Sequence, residues 1–226
     1  MTVKSLPKAV VLVSGGMDSA VTIALAREQG YQVHALSVAY GQRHSSELAA
    51  SVHVSTMLGA VEHKTVTVDL RSIGGSALTA DIDVPLDAAE SSDIPVTYVP
   101  ARNTIMLSIA LGWAEVLGSS DIWCGVNAVD YSGYPDCRDD TIKAMQLALN
   151  LGMERRFVLE TPLMWLDKQA TWALAAELAI TDLVIEHTHT CYRGDRTHRH
   201  PWGYGCADCP ACRLRADGFA AWEARH

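Results

Sequence analysis

Apolar and polar positions along the chain alternate between two rhythms. From Lys8 to Val13 the residues are apolar almost without a break, as in a strand buried on both faces. From Asp18 to Gln29 they follow a helical repeat that Gly30 stops, and Gln32 to Val38 reads as a second strand. Another helix over about 45–58 ends at Gly59, and His63 to Leu70 supplies a third strand. Strand–helix–strand–helix–strand predicts the start of a parallel, doubly wound α/β sheet. Residues 71–99 break the pattern with a glycine pair, scattered Asp, Pro85 and Pro95. A connection of that length reads as a functional loop or lid. The alternation resumes with a helix at about 103–117, a strand in Asp121–Val126, a helix at about 139–151, a strand near Arg156–Pro162 and a helix from about Asp167. There is no internal repeat and no low-complexity linker.

Composition narrows the function. A chain of 226 residues, 49% hydrophobic and 19% charged, can bury a full core, and one domain with an appendage is expected. A formal net charge of -8 argues against a nucleic-acid partner held over a broad basic surface. A small anionic substrate stays open, because one pocket can be basic on an acidic protein. The first residues lack the long apolar core and cleavage site of a signal peptide, and no run approaches the ~20 apolar residues of a membrane span. The expectation is a soluble, cytoplasmic protein without a membrane partner.

Six cysteines are unevenly placed: Cys124 and Cys137 stand apart, while Cys191, Cys206, Cys209 and Cys212 crowd the C-terminal part. The C-x-x-C-x-x-C run with Cys191 upstream offers four thiolates, the number a closed tetrahedral zinc site needs. A closed shell of four cysteines leaves no open position for catalysis, so a structural Zn2+ is expected, and an iron–sulfur cluster remains chemically possible. Cys124 lies in an apparent strand and reads as core. Cys137 invites a role as nucleophile, but a lone cysteine of this kind reads better as packing.

Between the first strand and helix stands Val13-Ser14-Gly15-Gly16-Met17-Asp18-Ser19. Glycines let backbone N–H groups converge on an anion without a Cβ in the way, and the helix that follows adds its N-terminal dipole. The alternative is a tight turn in which Ser14 or Asp18 merely caps the helix. Neither G-x-x-x-x-G-K-[ST] nor G-x-G-x-x-G is present.

The S-G-G-x-D-S pattern resembles the pyrophosphate loop of the ATP-pyrophosphatase (PP-loop) superfamily, whose members split ATP between its α- and β-phosphates. Further stretches resemble one family within it: AYGQRHSSE (39–47), VPARN (99–103), YSGYPDCRDD (131–140), TPLMWLDKQATW (161–172), TCYRG (190–194) and CADCPACRLRADGF (206–219). They are similar, in order and over nearly the whole chain, to 7-cyano-7-deazaguanine synthase, the QueC family. The resemblance implies a Rossmann-like, adenine nucleotide alpha hydrolase-like fold, a bound zinc and a homodimer. It also implies an activity: 7-carboxy-7-deazaguanine, ammonia and ATP give the nitrile precursor of queuosine through adenylated acid and amide. A catalytic and ATP-binding unit over 1–186 and a zinc-binding segment over 187–226 follow as expectations.

Site residues are carried over on the same footing. Val13, Ser14, Gly15, Gly16, Met17, Asp18 and Ser19 should hold the phosphates, Asp18 through Mg2+, since a bare carboxylate would repel them. Arg43 and Asn103 join the nucleotide site. Arg102 should address phosphate or the acyl-adenylate, its alternative being an ordinary helix start. Lys168 should neutralise developing pyrophosphate charge, against the alternative of a solvated helix lysine. In 130–138, Asp130 or Asp136 can accept from a guanine-like edge, Arg138 can grip a carboxylate in bidentate fashion, and Tyr131 and Tyr134 can stack on the base. A surface turn would explain the same residues.

Some positions depart from the family pattern. Ala101 stands where glycine is expected, Arg193 where asparagine is, and NAVD (127–130) differs from the usual acidic run. The 193–205 stretch is longer than expected, with His198 and His200 read as exposed loop residues. Two rivals remain at this point: an adenylating enzyme of the same superfamily acting on another acid or on tRNA, and a non-enzymatic zinc-ribbon binding module.

Overall fold

The computed structural model describes residues 5–42, 46–82, 94–128 and 134–225. Strands β1 (Lys8–Leu12), β2 (Gln32–Ala39), β3 (Glu62–Thr67), β4 (Asp121–Trp123) and β5 (Val158–Glu160) form one parallel sheet in the order β3-β2-β1-β4-β5. Successive side chains of a strand point to opposite faces, and the two faces hold two cores. Ala9, Val11, Val33, Ala35 and Trp123 face one side, where they meet Ile23 of α1 (Met17–Glu28), Val54 of α2 (Ser46–Met57) and Trp172 of α5 (Lys168–Glu177). Val10, Leu36 and Ile122 face the other, against Leu107 and Leu111 of α3 (Arg102–Leu117) and Ile142 and Met145 of α4 (Asp139–Leu151). Burial on both faces is why β1 and β2 read as unbroken apolar runs.

The topology places the site. From β1 the chain builds outward through β2 to β3, then crosses back to β4 and β5 on the other flank of β1. The connections after β1 and β4 therefore leave in opposite directions, and they open a crevice at the carboxyl ends of these two strands. Residues 71–82 and 94–99 are tied to the body: the Ala77 amide donates to the Val96 carbonyl at 2.9 Å, and Leu70 and Val99 pack with Val38 and Tyr40. Ala101, where glycine was expected, adopts φ 55° immediately before α3. A left-handed residue there explains the preference for glycine, and here an alanine accepts the strain.

Beyond α6 (Thr181–His187) the sequence predicted an irregular insertion. The structure has a short antiparallel hairpin, β6 (Arg199–His200) with β7 (Gly203–Tyr204), and then α7 (Pro210–Glu223). His200 stacks on Trp202 at 4.7 Å and His198 meets the Asp195 carboxylate at 2.6 Å. The C-terminal segment shares the main core, contributing Cys191, Trp202, Cys209, Cys212 and Phe219 to the cluster around Val11, Met17 and Trp172.

Helix α7 lies tightly on the start of α5. Trp172 is fully buried between Phe219 and Trp222 and donates from Nε1 to the Arg215 carbonyl at 3.2 Å. Gly218 makes the close approach possible, because a Cβ there would stand 2.4 Å from Lys168 Cβ and 2.9 Å from the Lys168 carbonyl carbon. Gly218→Ala is therefore expected to force the helices apart and to cost about 1–3 kcal/mol, the usual range for overpacking. Denaturant unfolding tests this, and an unchanged midpoint would contradict the contact.

Candidate active site at the switch point

A cavity of about 280 Å³ opens where the crevice was expected. Its floor is the turn after β1. Gly15 has φ 86°, and a Cβ there would lie 2.4 Å from the Glu47 carbonyl oxygen and 2.6 Å from the Ser51 nitrogen, so only glycine lets the turn lie against α2. Gly16 is the N-cap of α1 and no side chain caps the helix, which disposes of the reading in which Ser14 or Asp18 serves as a simple cap. The Gly15 amide instead donates to Ser19 Oγ at 3.2 Å and the Gly16 amide to Ser14 Oγ at 3.3 Å. The first intrahelical bond runs from Ala20 to the Gly16 carbonyl. The amides of Met17, Asp18 and Ser19 hence have no acceptor within the helix, and this end of α1 suits an anion.

Asp18 does something else. Lys168 Nζ reaches both of its carboxylate oxygens at 2.9 Å. The lysine is 8% exposed, set as the first residue of α5 by Asp167, whose side chain accepts from the Ala170 amide at 2.7 Å. The expected alternative of a solvated lysine is excluded by that burial. One turn of α7 lies behind it, with Arg215 fully buried and also lining the cavity.

The opposite wall comes from α3 and its neighbours. Arg102 and Asn103 open α3 and line the cavity, the guanidinium of Arg102 lying 5.5 Å over the Tyr40 ring. Tyr134 also lines it, its hydroxyl paired with Thr97 Oγ1 at 2.7 Å and 3.5 Å from the Tyr192 hydroxyl. Glu47 faces the same space. Burial pushes its carboxyl up to about 7, with the nearby Arg102 charge pulling the other way. A carboxyl held there can exchange a proton near neutral pH.

Other expected residues have different surroundings. Asp136 gives its oxygens to Asn103, accepting from the backbone amide at 2.8 Å and from Nδ2 at 3.2 Å, and does not line the cavity. It braces the start of α3. Arg138 is exposed, the N-cap of α4. Arg43, Asp130 and Tyr131 lie outside the described residues. Both Cys124 and Cys137 border the cavity, and burial pushes each thiol up to about 12. Thiols so raised are poor nucleophiles, in keeping with packing roles.

Several cavity residues were given no role from the sequence, although all but His189 lie in stretches compared there with the family pattern: Tyr40, Glu47, Asn127, His189, Thr190, Tyr192 and Arg215. The most informative is His189, 1% exposed, with neither ring nitrogen hydrogen-bonded among the described residues. The only hint in the sequence was position, since 189–192 brackets Cys191.

Cys191, Cys206, Cys209 and Cys212 bring their sulfur atoms within 4.8 Å of one another and can hold a metal ion. Zinc with four thiolates at ~2.3 Å has sulfurs about 3.8 Å apart, so the set is nearly closed on that geometry. The Cys209 amide already points at Cys206 Sγ at 3.4 Å. His198 and His200 are not part of the group.

The family model described as "Queuosine biosynthesis protein QueC" matches residues 8–223. The chain belongs to the QueC family. Proteins named 7-cyano-7-deazaguanine synthase from Stenotrophomonas maltophilia (strain R551-3) and Xanthomonas campestris pv. campestris (strain B100) are each 57% identical to it. The first aligns over 219 residues, 95% of both chains. The second aligns over 220, 95% of this chain and 94% of the relative. Among solved structures, a predicted subunit of tRNA methyltransferase from Methanocaldococcus jannaschii superposes with TM-score 0.51 at 20% identity, covering 76% of this chain and 75% of that one. NMN synthetase from Francisella tularensis gives 0.50 at 20% identity, covering 79% and 64%. At that identity the likeness shows the fold, a parallel α/β sheet, which this QueC member shares.

In this QueC chain the four sulfurs gather Cys191 and the start of α7 at one place, where a metal ion could join them. Cys209→Ser is expected to lose bound metal and to lower Tm together, as read by elemental analysis and thermal unfolding. One equivalent of metal retained with an unchanged Tm would contradict the assignment of the four cysteines.

Proposed function

We propose that the chain makes 7-cyano-7-deazaguanine from 7-carboxy-7-deazaguanine, ammonia and ATP. The observation that carries the reading is the Asp18–Lys168 pair at the amino end of α1, beside a cavity walled by Arg102 and aromatic side chains. Family membership and relatives bearing that enzyme name support the substrate.

A carboxylate is a poor electrophile. Attack of its oxygen on the α-phosphorus of ATP expels pyrophosphate and leaves AMP on the acid; ammonia then displaces AMP to give the amide. The nitrile requires that the amide oxygen also leave. A second ATP adenylates that oxygen, and loss of AMP and a proton from nitrogen forms the C≡N bond, so each nitrile consumes two ATP.

The chain's residues divide this work. The amides of Met17, Asp18 and Ser19 and the α1 dipole face the departing pyrophosphate. Lys168 can turn from Asp18 toward the phosphates and stabilise charge that develops as the bond to the α-phosphorus breaks. Asp18 then becomes available to the Mg2+ that accompanies ATP. Arg102, held over Tyr40, can meet the substrate carboxylate or the α-phosphate, and Tyr134 offers a ring face to the base. The four cysteines suit Zn2+, which would cross-link the C-terminal segment and leave no position open for chemistry.

Incubation of the metal-loaded protein with ATP, Mg2+, ammonia and 7-carboxy-7-deazaguanine should give the nitrile, AMP and pyrophosphate, identified by chromatography with mass spectrometry. Absence of ATP consumption by folded protein would overturn the reading. Lys168→Met should lower kcat/KM by about 10²–10³, the range seen when one preorganised electrostatic group is removed, with the metal still bound. A loss smaller than about threefold would remove Lys168 from the mechanism.

A further inference from the structure

Arg215 is the most unusual charge among the described residues. Its guanidinium is fully buried, and its hydrogen bonds there all go to neutral acceptors. Nε donates to the Trp202 carbonyl at 2.9 Å, Nη1 to Thr188 Oγ1 at 2.8 Å and Thr190 Oγ1 at 2.9 Å, and Nη2 to the Val184 carbonyl at 2.8 Å. A buried charge without a paired carboxylate is costly to keep. The nearby Asp18 is already engaged by Lys168, so these three groups together carry a net positive charge.

The acceptors lead to the phosphate loop. Thr188 and Thr190 bracket His189, whose amide donates to the Gly15 carbonyl at 2.8 Å. The His189 carbonyl and Thr190 Oγ1 stand 3.5 and 3.8 Å from where a Gly16 Cβ would be. The strap 188–190 is thus sandwiched between Arg215 and the turn that starts α1. Two of the four clustered cysteines flank the clamp: Cys191 follows Thr190 directly, and Cys212 lies one turn before Arg215 on α7.

We propose that Arg215 is a positioning residue for the phosphates: it fixes the 188–190 strap against the loop and places a positive charge behind it. The C-terminal segment held by the four cysteines thereby sets the affinity for pyrophosphate and is more than a stabilising appendage. This rests on the ATP reading above. The strap also carries His189, whose buried ring nitrogens have no hydrogen-bond partner among the described residues while the residue borders the cavity, so a shift of the strap moves a polar side chain at the cavity wall.

The test uses Thr188, which is buried, accepts from Arg215 and does not line the cavity. Thr188→Val removes the acceptor at constant shape, and Thr188→Ser restores it. Pyrophosphate with Mg2+ is titrated calorimetrically into the full-length, metal-loaded proteins, with metal content and Tm recorded for each. Thr188→Val is expected to bind at least about tenfold more weakly than the wild type. Thr188→Ser should match the wild type, and all three should retain equal metal. Equal binding by Thr188→Val and wild type would overturn the inference and leave the ATP reading standing. A wild type that does not bind pyrophosphate would overturn both. Amide exchange at His189 in the unmodified protein covers the case in which Thr188→Val does not fold. It should slow on pyrophosphate addition, and an unchanged rate counts against the clamp.

Discussion

The pairing of Lys168 with Asp18 is the interaction to which most of the molecule is fitted. Lys168 is almost entirely removed from water and comes from the start of α5, 150 residues along the chain from its partner. Removing a cation from water costs more than one partly exposed carboxylate returns, so a pair of this kind is weak evidence for stability. It makes sense as a group held ready for another anion. Holding it requires Asp167 to cap α5, Gly218 to let α7 close over the lysine, and the sheet to bring the ends of β1 and β5 to the same side. These requirements come from parts of the sequence that have no local relation to each other, and the parallel topology is what brings them together.

Around the pair the polar groups sort by task. The serines of the loop satisfy the glycine amides, Asp136 is consumed in anchoring the start of α3, and Asp195 in ordering the turn before the hairpin. The cavity lining is largely aliphatic, and set into it are the cations Arg102, Lys168 and Arg215, the rings of Tyr40, Tyr134 and Tyr192, and Glu47, whose carboxyl burial pushes up to about 7. An apolar wall with a few fixed cations is the kind of lining that the proposed planar acid and polyphosphate would need.

The elements legible in the sequence are those whose physical cause is local. β1 and β2 are buried on both faces and so appear as apolar runs, and the glycine pair marks a turn that must pass within 2.4 Å of a neighbouring carbonyl. The motif resemblance supplied Lys168 and the four cysteines, and the spacing of the cysteines supported it independently. Helix α7 was missed for a definite reason. Its inward face is Cys212, Arg215, Gly218 and Phe219, a helical spacing occupied by a ligand, a cation and a helix breaker in place of aliphatic residues. At Asp136 and Arg138 local pattern could not show the surroundings: polar residues in a turn after a strand suggested ligand contacts, and in the structure Asp136 accepts from Asn103 while Arg138 is exposed.

The proposed double adenylation requires that both oxygens of the substrate carboxylate leave as part of AMP. It is tested most directly with 7-carboxy-7-deazaguanine labelled with oxygen-18 in both carboxylate oxygens. If the account holds, the AMP released during nitrile formation carries the heavy oxygen, one label in each AMP, and the pyrophosphate carries none. Label recovered in water or in pyrophosphate, with AMP unlabelled, would contradict it.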